Sequence, residues 1–172
     1  ILRKGNTAED IAHNLPPIFN TMVYNLGQST SIFNTFLGEL RDCTVQTDPM
    51  RFRRNLERVA EVLAYELSKH LDYQTEMVTT PLGEAEVKIL KQQPVLATIL
   101  RAGLPMHQGL LNYFDRAESA FVSAYRKHTT AEDFDIHVEY LAAPSIDGKT
   151  LIISDPMLAT GSSLVKTIHM LK

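Results

Sequence analysis

The chain has no tryptophan and a single cysteine, Cys43, in 172 residues. A lone cysteine excludes an internal disulfide, and such sparing use of thiols fits a reducing, cytoplasmic compartment. Nothing beside Cys43 marks it as an activated thiolate, so it is read as an idle or buried thiol. No apolar run approaches the roughly 18 residues of a membrane span, and no charged-then-apolar signal segment opens the sequence. A strong excess of one charge is also missing. Lys and Arg number 17 against 20 Asp and Glu, giving a net charge of −3. That balance speaks against a general nucleic-acid binder, which presents a basic face, while leaving room for a local basic pocket. There is no internal repeat. Neither the G-x-x-x-x-G-K-[ST] phosphate loop nor a G-x-G-x-x-G dinucleotide fingerprint occurs, and no histidine–carboxylate cluster signals a metal site. His128 and His137 are read as surface residues.

What is present suffices for one compact α/β domain: 44% hydrophobic and 22% charged residues are ordinary for a globular protein of this length. The first residue is Ile rather than Met, which points to a start that is processed or not shown. Residues 164–172 read as a helix that stops without a cap, so the natural protein is expected to continue.

Residues 1–28 contain Pro16-Pro17 and read as an arm with a short helical piece; residues 29–172 form the main domain. Ser31 is placed to cap a helix carrying Ile32, Phe33, Phe36, Leu37 and Leu40 at spacings near 3.6. Asp48-Pro49 opens a second helix with Phe52, Leu56, Val59, Ala60, Leu63, Ala64 and Leu67 on one face. Arg51, Arg53 and Arg54 on the other face offer either an anion site or a solvated or subunit-contacting surface; the second is preferred, because Glu57 and Glu61 lie within ion-pairing reach. Tyr73–Thr80 suits a strand, Pro81-Leu82-Gly83 a turn, and residues 84–89 a second strand. Val95–Leu100 is a continuous uncharged apolar run, the pattern of a strand buried on both faces of a parallel sheet. A helix is expected over 106–113, strands over 119–125 and 135–141, a second buried strand over 150–154, and a helix from Gly161 onward. This order is that of an α/β fold, in which ligands sit at the carboxyl ends of the strands.

The segment Asp155-Pro156-Met157-Leu158-Ala159-Thr160-Gly161-Ser162-Ser163 leaves a strand and enters a helix. Unpaired N–H groups at a helix start, with about half a positive charge from the dipole, cradle anions. Gly161 lets the backbone approach closely, and Thr160, Ser162 and Ser163 add hydroxyls. Asp155 is placed to accept hydrogen bonds from sugar hydroxyls. Arg101-Ala102-Gly103 ends the first buried strand, with a guanidinium fork suited to phosphate oxygens. Tyr125-Arg126-Lys127-His128 ends the next strand, before a polar loop at 129–133.

Together, Ile99-Leu100-Arg101-Ala102-Gly103-Leu104, Tyr125-Arg126 and the D-P-M-L-A-T-G stretch from Asp155 to Gly161 resemble, in order and spacing, the signature segments of uracil phosphoribosyltransferases. Weaker similarity runs upstream through Arg51-Phe52-Arg53, Tyr65-Glu66 and 80–83, covering residues 29–165. The resemblance implies a type I phosphoribosyltransferase-like fold: a mostly parallel central sheet flanked by helices, with an N-terminal helical segment and a β-hairpin arm. It implies transfer of phosphoribosyl from phosphoribosyl pyrophosphate (PRPP) to uracil, giving UMP and diphosphate. In that reading Arg101, with the Ala102 and Gly103 backbone, and Arg126 hold the diphosphate and, with Asp155, are the catalytic residues. Asp155 with Pro156, Met157 and Leu158 meets the ribose side, and Ala159 to Ser163 wrap the 5′-phosphate. Magnesium arrives on PRPP rather than in a protein cage. A homodimer or larger homo-oligomer is expected, with GTP as a candidate effector and no nucleic-acid or membrane partner. Two departures stand out. Lys127-His128-Thr129-Thr130 replaces a loop that is usually acidic in the family, and Ser162 stands where a second glycine is common. The family reads uracil with a glycine- and aspartate-rich segment farther along, expected in the continuation of this chain. The alternatives are another phosphoribosyltransferase, a PRPP-sensing regulator, or a non-catalytic domain of the same fold.

Overall fold

The computed structural model describes residues 23–128, 134–157 and 161–171; for residues 124–128, 134–139 and 162 it describes the backbone alone. Most of the N-terminal arm, the polar loop at 129–133 and Leu158, Ala159 and Thr160 of the cradle therefore lie outside the described residues.

Helix α1 spans Ile32–Arg41 and α2 Pro49–Ser68. Asp48 caps α2 as its sequence predicts: its carboxylate accepts from the Met50 and Arg51 amides at 2.9 and 3.0 Å, satisfying two of the orphan donors of the first turn. Ser31 holds the corresponding place before α1, but its side chain makes no cap bond. Instead its carbonyl accepts from the Asn34 N–H at 3.1 Å. Cys43, after α1, is exposed rather than buried.

A two-stranded antiparallel hairpin follows, β1 (Tyr73–Thr80) and β2 (Gly83–Leu90). Its tight turn closes at Gly83, whose φ of +131° favours glycine. The central sheet contains β3 (Val95–Leu100), β4 (Glu118–His128), β5 (Phe134–Ala142) and β6 (Leu151–Ser154), in the order β5-β4-β3-β6. Strand β3 runs parallel to both β4 and β6, while β5 pairs antiparallel with β4. Helix α3 (Leu104–Leu111) links β3 to β4, and α4 (Ser162–Leu171) follows β6. Helix α3 begins two residues earlier than the apolar pattern implies, with Pro105 in its first turn, where a missing N–H costs nothing.

The sheet is covered on both faces, which explains the uninterrupted apolar run of β3. Leu96 and Ile152 join Phe33, Leu56, Val59, Met106 and Leu110 in one core formed with α1, α2 and α3. Val95 and Ala97 point the other way, into a second cluster with Ala120, Val122 and Leu171 of α4. Strand β6 alternates in burial instead of being buried throughout, as befits the outer position that it takes in the described sheet.

Helix α3 is held tightly against α2. A Cβ on Gly109 would lie 2.2 Å from the Glu57 carbonyl oxygen and 2.8 Å from Ala60 Cβ, so only glycine permits this approach. At the far end the Asn112 amide donates to Glu57 at 3.2 Å and Glu61 at 2.8 Å. The carboxylates expected to neutralise the arginine face of α2 thus also fasten α3.

Candidate active site

Strands β3 and β6 bring their ends together. Thr98 of β3 is in register with Ser154 of β6, so the loops beginning near Arg101 and at Asp155 leave the same edge of the sheet from neighbouring strands. Buried hydroxyls tie the two ends. Thr98 Oγ1 donates to the Ser154 carbonyl at 3.5 Å, and Ser154 Oγ donates to the Ala97 carbonyl at 3.3 Å.

Arg101 and Asp155 share one cleft of about 540 Å³ with Ala102, Pro156 and Met157. Further apolar lining comes from α1 and α2 through Leu37, Leu40, Phe52 and Leu56, and Arg53 lines the same cleft. The sequence pattern missed this lining: Leu37, Leu40 and Phe52 lie on helix stripes that look like ordinary core faces. Arg101 is exposed and has no ion-pair partner among the described residues, so its guanidinium is available to a ligand. The Leu100–Arg101 peptide bond is cis. The Gly103 amide donates to the Ile99 carbonyl at 3.0 Å, and its own carbonyl accepts from His107 at 2.9 Å as α3 begins. Gly103 has an ordinary helical φ of −73°; space, not backbone freedom, demands glycine there.

Asp155 is half-buried, and its carboxylate accepts from the Met157 amide at 3.1 Å. Burial pushes the carboxyl's pKa up, and the Met157 N–H offsets this in part by favouring the charged form. Gly161 is buried, with φ at +74°, and its carbonyl accepts from Val165 at 2.9 Å. This left-handed turn swings the chain into α4, whose first residue is Ser162. Ser163 is partly buried in the first turn, while the side chain of Ser162 lies outside the described residues, as do Leu158, Ala159 and Thr160.

Tyr125-Arg126-Lys127-His128 closes β4, as its sequence predicts, but the strand runs three residues past the expected 119–125, so Arg126 lies within it, opposite Ile136 of β5. The cause is non-local: pairing with β5 prolongs β4 to His128. Ser123 of β4 is in register with Leu100, so Arg126 stands three residues, about 10 Å, beyond that level. Its side chain, like those of Lys127, His128 and His137, lies outside the described residues.

A buried histidine outside the cleft gave no sequence signal. His107 of α3 has Nε2 3.0 Å from Ser119 Oγ and its ring against Phe121. Burial lowers its pKa, favouring neutral imidazole, so its position supports a structural role.

The sequence profile of uracil phosphoribosyltransferases matches residues 27–172. The chain belongs to the uracil phosphoribosyltransferase family. It is 61% identical over 142 residues to a uracil phosphoribosyltransferase of Porphyromonas gingivalis, covering 83% of this chain and 66% of that protein. It is 38% identical over 153 residues to one of Thermococcus kodakarensis, covering 87% and 64%. An enzyme of that name from Methanococcus maripaludis is 37% identical over 153 residues, again covering 87% and 64%. The chain thus spans just under two thirds of the length of these relatives. Among solved structures, the AQ2163 protein from Aquifex aeolicus matches with a TM-score of 0.73 at 26% identity, over 87% of this chain and 69% of that one. The mostly parallel α/β sheet is the architecture expected for the uracil phosphoribosyltransferase family.

Proposed function

We propose that the full-length protein is a uracil phosphoribosyltransferase, converting uracil and PRPP to UMP and diphosphate in pyrimidine salvage. The observation that carries this reading is the single cleft that holds Arg101 and Asp155 at the ends of adjacent parallel strands. In the reaction the bond from uracil N1 to ribose C1 forms, the bond from C1 to diphosphate breaks, and the N1 proton is lost. Positive charge grows on the sugar and negative charge on the leaving diphosphate. Arg101, Arg126 and the Ala102 and Gly103 backbone stabilise that diphosphate as its charge develops, an electrostatic contribution that is largest when the donors are fixed beforehand. Asp155, with Pro156, Met157 and Leu158 around it, orients the ribose hydroxyls. Ala159, Thr160, Gly161, Ser162 and Ser163 hold the 5′-phosphate at the start of α4.

Among the described residues Asp155 is the one carboxylate that lines the cleft. A donor set of this kind fits magnesium held mainly by phosphate oxygens and water, with at most one protein ligand. Bound there on PRPP, magnesium would neutralise charge on the diphosphate. No helix among the described residues is long and apolar enough to cross a membrane, and a cytoplasmic homodimer belongs to the same reading.

Incubating full-length protein with labelled PRPP, magnesium and each nucleobase tests the proposal. UMP from uracil alone is expected; no product with any base overturns it. Adding GTP to the same assay tests it as an effector, and a rate unchanged by GTP removes that role. Light scattering tests the dimer, which a monomeric mass refutes.

A further inference from the structure

Helix α2 carries four arginines, Arg51, Arg53, Arg54 and Arg58, and three of them are engaged within the fold. Arg51 grips Glu39 of α1 with two nitrogens, each 2.7 Å from a carboxylate oxygen. Arg54 pairs with Glu57 at 2.7 Å. Arg58 donates to Asn55 at 3.3 Å and lies over the Phe36 ring, 5.3 Å from its centre. Arg53 has no such partner among the described residues, and it is the arginine of this helix that lines the cleft shared by Arg101 and Asp155.

We infer that Arg53 is a further binding residue of this cleft, contacting the phosphate or diphosphate of the substrate from helix α2. The expected solvated, ion-paired face is found for Arg51 and Arg54. It does not account for Arg53, whose guanidinium has no partner among the described residues and which lines the cleft with Phe52 and Leu56. A guanidinium is weakly hydrated and forked, and so is suited to phosphate oxygens. Two arginines against one carboxylate leave the described cleft with a net positive lining, complementary to a polyanion. This inference rests on the proposed function for the identity of the substrate, but not for the class of ligand.

The test uses full-length wild-type protein, Arg53→Gln, Arg53→Lys and, as a control on the same helix, Arg54→Gln. Binding of magnesium–PRPP and of inorganic pyrophosphate is measured by titration calorimetry, and steady-state rates are measured alongside. Arg53→Gln is expected to weaken magnesium–PRPP binding roughly tenfold or more, the scale of a lost charge-assisted hydrogen bond. The KM for PRPP should rise in step, with the KM for uracil and the unfolding temperature unchanged. Arg53→Lys should regain part of the loss, and Arg54→Gln should bind as wild type does. Wild-type affinity in Arg53→Gln, an equal loss in Arg54→Gln, or a lysine variant no better than the glutamine one overturns the inference. A wild-type protein that binds PRPP but makes no UMP sinks the proposed function alone, leaving Arg53 to be judged by binding. A wild type that binds neither anion removes both.

Discussion

The hydroxyl of Thr98 occupies the space that a side chain at position 103 would need. A Cβ on Gly103 would lie 2.1 Å from Thr98 Oγ1, 2.8 Å from the Ile99 carbonyl oxygen and 3.0 Å from that of Ser154. The loop carrying Arg101 is therefore seated directly on the ends of β3 and β6. Its position depends on residues that themselves touch no substrate in the proposed reaction.

Replacing Gly103 with Ala is expected to cost about 1–3 kcal/mol of stability, the usual penalty for overpacking, because two of the three obstructing atoms are backbone oxygens. The loop must shift, so kcat/KM should fall as well. Gly109→Ala meets an equally hard obstacle at the Glu57 carbonyl, 2.2 Å away, but farther along α3. It should lose comparable stability in urea unfolding while keeping near-normal kcat/KM at low temperature, where it remains folded. Equal losses of kcat/KM in both variants would contradict the separation of scaffold from site.

Removing the Arg101 guanidinium as Arg101→Gln should raise the barrier by about 3 kcal/mol, a fall of 10²- to 10³-fold in kcat. The unfolding midpoint should barely move, since the exposed side chain has no ion-pair partner among the described residues. Steady-state kinetics and thermal melts check the two halves separately.

Asp155 sets function against stability. Burial raises its folded-state pKa above the ordinary value of 3.8. As pH climbs through that value, the unfolded chain releases the proton first. It then binds fewer protons than the native state, and the stability slope with pH is negative in this window. Holding Asp155 ionised therefore destabilises the fold. Asp155→Asn should melt higher than wild type near neutral pH, with the advantage vanishing in acid below the ordinary carboxyl pKa, and should lose activity. A lower melting temperature at pH 7 would refute this account.

Glu39 works in the opposite sense. Hydrogen bonds from Arg51 and Asn55 hold its carboxyl at about 2, against an ordinary 4.5. The stability it confers is complete above pH 4.5 and is lost as pH falls toward 2. Glu39→Gln should flatten the acid limb of a stability–pH curve over that window. It should also loosen α1 from α2, seen as faster amide exchange in α1.

Local signals carried much of this architecture. The β3 strand was legible to its last residue because a sheet covered on both faces demands an unbroken apolar run. Asp48-Pro49 marked the start of α2, and Pro81-Leu82-Gly83 marked the hairpin turn, through backbone chemistry that needs no distant partner. Arg101 and Asp155 could be expected at one edge of the sheet because each follows an apolar run of the parallel-strand type. What escaped depends on tertiary pairing. The length of β4 beyond Tyr125 is set by β5, so the strand outruns its expected end by three residues and takes Arg126 into the ladder. Arg53 and Arg54 are adjacent in sequence, and only the packing of α2 separates a cleft arginine from a surface ion pair. No periodicity distinguishes Leu37 or Phe52 as cleft lining from any other apolar helix residue.

The Thr98–Ser154 pairing also limits how the sequence can change. A one-residue slip of the last described strand would carry Asp155 about 3.3 Å along the sheet and rotate Ser154 to its other surface, parting the carboxylate from the arginine loop. Insertions should therefore be tolerated in the exposed Asp147-Gly148 turn, where added length is absorbed before pairing begins, and be ruinous anywhere from Leu151 to Ser154.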